Sequence, residues 1–458
     1  MAKTEVLVIG GGPAGYVAAR RLGQLGIETV LVEKEFLGGT CLNRGCIPTK
    51  ALYAATLPLG KRETYAKMGV ELEVRVDLPR LRGFLSEVVG KLREGIARIL
   101  SASKVEVIFG QARIVGAGEV EVEREGRSER FQAKHIVLAT GSAPLVLPFL
   151  PFDGERVWSS DHALLLPKIP EKLVVVGGGV VGLELATVFR RLGSQVTVVE
   201  MMEGLLPGLP LSRRAEALLR QALAKQGIEV RLKTAAAGLT PNGLLVRQGQ
   251  KGEELPAETI LVAVGRRPNT QGLGLENLGV RLEKGFVSTD ENFQAGPGIF
   301  AIGDVRGGAM LAHKASHEGL LLAEYLSAEI RGAVSPKNSA PKAIPWTVFT
   351  QPEVAMVGLP VDSPGLRVGR FPLGALGRAW AEGEPEGFVS LAADESGKIV
   401  GGEIVGPHAS ELIAEAALAV ELGLSLEDVA RVIHAHPTFP EAIWEAALSA
   451  LGRPLHIV

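Results

Sequence analysis

The chain reads as an α/β protein in which two βαβ units of one design precede a C-terminal α+β segment, and three observations predict it. "VLVIGGGPAGYVAARRLGQLGIETVLVE", Val6 to Glu33, matches "LVVVGGGVVGLELATVFRRLGSQVTVVE", Leu173 to Glu200. "HIVLATGSAP", from His135, matches "TILVAVGRRP", from Thr259, at a shorter offset. From about Pro341 the pattern changes. "GFVSLAAD" and "GKIVGGEIVG" flank "ESGK" as a hairpin, and the helical patterns "ASELIAEAALAVELG" and "SLEDVARVIHAH" follow without a glycine fingerprint.

Each βαβ unit runs as a buried apolar strand, a G-x-G-x-x-G turn, an amphipathic helix, a second strand and a glutamate. In the first unit the glycines are Gly10, Gly12 and Gly15 and the acid is Glu33; in the second they are Gly177, Gly179 and Gly182 with Glu200. Such a turn brings backbone N–H groups and a helix N-terminus to a pyrophosphate, and the acid can accept ribose hydroxyls. A lone fingerprint could serve turn geometry only; two complete copies point to two Rossmann-like dinucleotide sites. The carboxylate of Glu200 would repel a 2′-phosphate, which favours NAD over NADP at the second. The unequal offsets place extra residues between Glu33 and His135. After the second unit "GIFAIGDV" runs a short strand into Asp304, an acid placed for a sugar or ribityl hydroxyl or for a simple turn, and a helix is expected from about Leu311.

The inserted residues include "GGTCLNRGCIPTK", Gly38 to Lys50, which carries both cysteines of the chain. Residues five apart on a regular helix rise about 7.5 Å and face apart, so a bond between Cys41 and Cys46 needs an irregular helix entry. Gly38, Gly39 and Gly45 loosen the backbone, and Pro48 suits a first helical turn. Cys46 is then expected near a helix N-terminus, where the dipole favours a thiolate, with Lys50 one turn on. Spacing and setting favour a redox-active dithiol over a structural disulfide or a zinc site. "HAHPTFPE", His434 to Glu441, offers an imidazole, His436, that Glu441 could orient; from the residues alone a cap or packing role competes.

With 458 residues the chain suits about three domains. A net charge of −2 gives no reason for a nucleic-acid or membrane partner. The start, "MAKTEVLVIGGGPAG", lacks the pattern of a signal peptide, so a cytoplasmic, reducing setting is the expectation.

The motifs "GGTCLNRGCIPTK", "VAVGRRPNT", "GIFAIGDV", "MLAHKASHEG", "IPWTVFTQPEVAMVG" and "HAHPTFPE" stand in one order along nearly the whole chain. In these the chain resembles the flavin-dependent pyridine nucleotide–disulfide oxidoreductases, and among them the dihydrolipoamide dehydrogenases. The resemblance implies an FAD-binding domain of residues 1–145 and 268–338, an NAD-binding domain of 146–267 and an interface domain of 339–458. FAD would be held by Gly10, Gly12, Pro13, Ala14, Gly15, Glu33, Lys34, Gly39, Thr40, Cys41, Lys50, Ala112, Thr140, Gly141, Ser142, Asp304, Met310, Leu311, Ala312 and His313. NAD would be held by Gly177, Gly179, Val180, Val181, Gly182, Glu184, Glu200 and Gly265. By the same resemblance Cys41 and Cys46 alternate between disulfide and dithiol, with Cys46 against the flavin and Cys41 facing substrate. Lys50 pairs with Glu184, and His436, supported by Glu441, serves as acid–base from the other subunit of a homodimer. A lipoyl-bearing acyltransferase or an H-protein is the implied partner. Three features depart from the pattern: Pro440 before Glu441, a short segment after Gly358, and "TQPEV" around Gln351. Glutathione-type or mercuric-type reductases and a non-catalytic flavoprotein scaffold are the rival readings.

Overall fold

The computed structural model describes residues 1–334 and 340–458. The expected boundary between residues 338 and 339 lies outside the described residues. The chain forms two compact units, one of Met1–Ala51, Arg82–Leu145 and Arg266–Ala340, the other of Leu52–Leu81, Val146–Gly265 and Pro341–Val458.

In the first unit a mixed sheet orders its strands as Gln294–Gly296, Ile299–Ala301, Arg127–Leu138, Ala2–Ile9, Thr29–Glu33 and Glu106–Phe109. The central pairs are parallel, with Val6 opposite both Thr29 and His135. Alternation along Val6–Ile9 divides the core: Val6 and Val8 join Leu22, Leu31, Phe300 and Leu322 on one face, and Leu7 and Ile9 join Val30, Phe131 and Ile136 on the other. The helix Pro13–Gln24 begins with Pro at its first position and buries Ala14, Ala18, Ala19 and Leu22, the stripe a 3.6-residue period places on the sheet. The helix Ala312–Ile330 packs on it at close range: a Cβ at Gly319 would lie 2.5 Å from the Ala14 carbonyl oxygen. The residues inserted after Glu33 form the helices Gly39–Arg44, Cys46–Gly60, Arg62–Lys67 and Leu78–Ala102, and of these residues Leu52–Leu81 belong to the second unit.

The second unit repeats the plan in a five-stranded sheet, Ile228–Arg231, Gln195–Val199, Lys172–Val176, Thr259–Val262 and Val157–Trp158 in spatial order, all parallel. The helix Val180–Arg191 follows its glycine turn. Its C-terminal part is a five-stranded antiparallel sheet backed by Ala409–Leu422, Leu426–Ala430 and Glu441–Ala450. The expected hairpin joins Phe388–Ala393 to Ile399–Gly406, and Asp394 accepts the Ser396 and Lys398 N–H groups of its turn. One expectation fails in extent. The pattern "SLEDVARVIHAH" is helical only over Leu426–Ala430. Pro437 disfavours a helical conformation at His436, and Ile433 meets solvent rather than a core, so nothing extends the helix. Residues 434–436 lie in irregular backbone.

Candidate active site

The two glycine turns are built alike in atomic detail. A Cβ at Gly15 would stand 1.8 Å from the Gly10 carbonyl oxygen, and one at Gly182 would stand 2.1 Å from that of Gly177. No side chain fits, so helix and strand meet backbone to backbone. Glu33 closes its strand and accepts the Gly11 N–H at 2.7 Å and the Glu35 N–H at 2.8 Å. Glu200 accepts from Gly178 and Met202, both at 2.7 Å. Each carboxylate therefore locks the turn it faces and keeps lone pairs for ligand hydroxyls. The sequence marked these acids as ribose acceptors; their hold on the middle glycine N–H is visible only in three dimensions.

Neither the helix at Pro13 nor that at Val180 has a side-chain cap, and Gly12 and Gly179 stand at the N-cap positions. Their leading N–H groups are available to a phosphate. A Cβ at Gly179 or at Gly265 would meet nothing within 4 Å, so the cradle is open on its ligand side. These features fit a dinucleotide in each unit.

The cysteine segment is fastened to the first turn. Gly38 N–H donates to the Gly11 carbonyl at 2.8 Å, and a Cβ at Gly39 would approach the Gly12 Cα to 2.7 Å. The expected irregular entry is present. Helix Gly39–Arg44 stops at Gly45, whose φ of −147° and ψ of −116° break the run, and a second helix starts at Cys46. Inside that helix Thr49 Oγ1 donates back to the Gly45 carbonyl one turn earlier, at 2.7 Å, and Pro48 sits in the first turn. The two cysteines are not joined in a disulfide here; Cys46 is exposed and Cys41 half-buried. The side-chain hydrogen bond with Cys46, then burial, then the neighbouring Cys46 charge push the Cys41 thiol well above its usual range, against the pull of Lys50 and of the Cys46 backbone. Tyr16, on the first helix, is also shifted up, by burial and then by the Cys41 charge.

Of the other predicted FAD residues in the first unit, Thr140 stands against this turn, its N 3.1 Å from a Cβ placed on Gly10. Gly303, next to Asp304, packs toward the Ala14 methyl. Asp304 accepts the Ser142 hydroxyl at 2.6 Å, and Arg266 donates to that same hydroxyl at 2.7 Å. Asp304 is thereby oriented by a pair that sequence reasoning only half found; Arg266 belongs to the matched "GRRP". Thr140 and Asn269 exchange hydrogen bonds of 2.8 and 2.9 Å, fixing the loop around Gly141. Glu318, nearly buried, accepts the Gly303 N–H at 2.7 Å and pairs with Arg306 and Lys314. Met310, Leu311, Ala312 and His313 form the start of the helix Ala312–Ile330, with Leu311 as its N-cap. Lys34 is exposed, and Ala112 is buried in the strand Gln111–Gly116.

In the second unit Val180 and Val181 begin the helix after Gly179, and the buried Glu184 accepts the Phe349 N–H at 3.1 Å. Gln351 accepts from Arg191 Nη2 at 2.9 Å, which gives the departure in "TQPEV" a defined partner. His436 Nδ1 lies 2.8 Å from Glu441 Oε2, while Glu441 Oε1 accepts the Thr438 N–H at 2.6 Å. Burial pushes the Glu441 carboxyl upward, but the hydrogen bonds from His436 and Thr438 outweigh it and hold it below the usual carboxylate range. An ionised carboxylate only accepts, so Nδ1 carries the proton and Nε2 is the free basic nitrogen. The His436 side chain is 78% exposed and Glu441 17%, so the imidazole is presented outward from a sheltered partner. Pro440 is the N-cap of the last helix, where no N–H is required. His434 pairs instead with Glu415 at 2.9 Å, a bond that raises its affinity for a proton.

Among the described residues no helix is long and apolar enough to cross a membrane, and no His, Cys, Asp and Glu cluster could hold a metal ion.

Residues 4–319 match the family described as pyridine nucleotide-disulphide oxidoreductase, and residues 344–447 match its dimerisation domain. The dihydrolipoyl dehydrogenase of Haloferax volcanii is 42% identical over 470 residues, covering 99% of this chain and 97% of that protein. That of Pseudomonas aeruginosa is 43% identical over 468 residues, covering 99% of each. Among solved structures, LpdA from Mycobacterium tuberculosis superposes with a TM-score of 0.88 at 28% identity, over 98% of this chain and 99% of that one. Two glycine turns of one build, a dithiol fastened to the first and a matching dimerisation segment agree with these comparisons: the chain belongs to the pyridine nucleotide-disulphide oxidoreductase family.

Proposed function

We propose that the chain is a dihydrolipoyl dehydrogenase, oxidising dihydrolipoyl groups to lipoyl and reducing NAD, with FAD as its second cofactor. The observation that carries the reading is the Cys41–Cys46 dithiol tied to the first dinucleotide turn, in a chain over 40% identical to dihydrolipoyl dehydrogenases along almost its whole length. Residues 1–145 and 268–338 would hold FAD, 146–267 NAD, and 339–458 the subunit interface of a homodimer. Bound FAD supplies a two-electron acceptor for the thiolate and a hydride donor to nicotinamide.

The chain's own residues account for the remaining chemistry. His436 Nε2, contributed from the partner subunit of the dimer, takes a proton from a dihydrolipoyl thiol. The resulting thiolate attacks Cys41 Sγ of the Cys41–Cys46 disulfide, and Cys46 Sγ leaves with the electron pair. The second substrate thiol attacks the mixed disulfide at the substrate sulfur; lipoyl closes its ring and Cys41 departs with the proton His436 holds, while His436 takes the proton the second thiol gives up. Cys46, set against the flavin, is the proposed holder of the resulting negative charge. Glu33, Asp304 and the turn N–H groups orient and hold FAD; Glu200 and the second turn do so for NAD. A lipoyl-bearing acyltransferase or H-protein is the proposed carrier of the substrate.

Steady-state turnover tests the reading directly. Dihydrolipoamide with NAD is expected to exceed glutathione disulfide with NADPH by several orders of magnitude. A preference for the second pair would assign a glutathione-type reductase instead. Within the NAD site, Glu200→Ala is expected to lower the ratio of kcat/KM for NAD over NADP by about tenfold or more, since it removes the charge that repels a 2′-phosphate. An unchanged ratio would mean that Glu200 serves only the Gly178 and Met202 N–H groups.

A further inference from the structure

The helix that carries Cys41, Gly39–Arg44, has six residues. A helix that short has no stability of its own in water, so its geometry is imposed from outside. Asn43 lies between the two cysteines. Its Nδ2 donates to the carbonyls of Leu37 at 3.0 Å and Gly39 at 2.8 Å. Its Oδ1 accepts from Arg93 Nε at 3.1 Å and Nη2 at 2.7 Å. A guanidinium only donates, so Arg93 fixes which end of the amide faces it and turns the two N–H donors onto the cysteine loop. Arg93 is held in turn, its guanidinium 3.9 Å above the Phe36 ring and its backbone in the long helix Leu78–Ala102. One amide thus ties the residue before the glycine pair, the start of the Cys41 helix and a separate helix into one clamp. On the other side of Cys41, Gly45 approaches so closely that a Cβ there would lie 2.9 Å from the Thr40 carbonyl oxygen and 3.3 Å from Cys41 Cα.

We propose that Asn43 and Arg93 are positioning residues for the dithiol, holding the Cys41 turn in the geometry that closes the Cys41–Cys46 disulfide and so setting the reduction potential of the pair. The inference rests on the redox reading given above. Closing the bond removes two protons and two electrons from the two thiols. The equilibrium depends on how often the sulfurs stand within bonding range, which is the effective concentration of one at the other. Freed from the clamp, the six-residue helix samples more arrangements and the thiols meet less often. The pair then becomes a stronger oxidant.

The test equilibrates FAD-loaded protein anaerobically with set ratios of reduced to oxidised dithiothreitol, which accepts or supplies both electrons and protons, and counts free thiols after alkylation. Asn43→Ala and Arg93→Met are each expected to lower the equilibrium constant for disulfide formation about tenfold, a rise of about 30 mV for two electrons. Asn43→Asp keeps attraction to Arg93 but loses both donors to the loop, and is expected to behave as Asn43→Ala. A role in folding alone would lower the melting temperature and leave the potential in place. Potentials of all three variants within twofold of wild type in this constant overturn the proposal. Should the Asn43 variants not fold, Arg93→Met decides alone, because its side chain reaches in from another helix. Wild-type protein that forms no disulfide at any ratio would remove the redox reading itself, and the proposal with it.

Discussion

Cys46→Ser is expected to abolish oxidation of dihydrolipoamide by NAD, with a fall in kcat of at least about 10⁴-fold, the scale on which loss of a covalent centre is felt. A serine oxygen cannot form or leave a disulfide, so no thiolate attack on Cys41 has a bond to break. Cys41→Ser is expected to be equally inactive but different to the eye. In the proposed arrangement it keeps a thiolate at position 46 against the flavin, and with it a long-wavelength absorption band that Cys46→Ser lacks. The asymmetry follows from the proposed roles, in which Cys46 faces the flavin and Cys41 faces the substrate. Both variants are expected to pass electrons from NADH to a quinone dye, since that route bypasses the sulfurs and reports an intact cofactor site. Turnover of Cys46→Ser above about a hundredth of wild type, or the band appearing in the wrong variant, would refute the assignment of roles.

What the sequence made legible was whatever repeats locally. The glycine turns could be placed because their defining constraint, Gly15 against Gly10, acts within a few residues. The broken helix entry at the cysteines was readable for the same reason: Gly45 and Pro48 are local signals. Legibility ended where a partner comes from far along the chain. Arg93 is half a hundred residues from Asn43, and no periodicity in the helix Leu78–Ala102 singles it out from that helix's other arginines. Arg266 on Ser142, and Glu318 under the Asp304 turn, are similar products of tertiary folding. The one element read too long, the helix expected to reach His436, failed because apolar spacing at Val432 and Ile433 looks the same whether or not a core receives those side chains; both are exposed in this chain.

His436→Gln is expected to lower kcat/KM for dihydrolipoamide by about 10²–10⁴-fold, the usual span for a general base, while NADH-to-dye activity stays within about twofold. Glu441→Gln is the sharper experiment because it changes one charge and almost no volume. The carboxylate has two oxygens and two donors to satisfy, Thr438 N–H and His436 Nδ1–H. An amide has one oxygen and turns an NH₂ toward whichever donor remains, so either the loop or the imidazole loses its anchor. A loss of about 10²-fold is expected, because Nδ1 is then free to give up its proton and present the wrong tautomer at Nε2. The pH dependence carries a sign. The Glu441 carboxyl is held below the ordinary carboxylate range, so the stability it lends is complete above its unfolded value of about 4.3 and is lost only as pH falls through the lower folded one. Across pH 5 to 8 this group keeps its charge, and the wild-type profile of kcat/KM there is free of any step from its titration. If Glu441→Gln leaves both the rate and the profile of wild type unaltered, the carboxylate is a loop cap and His436 acts without it.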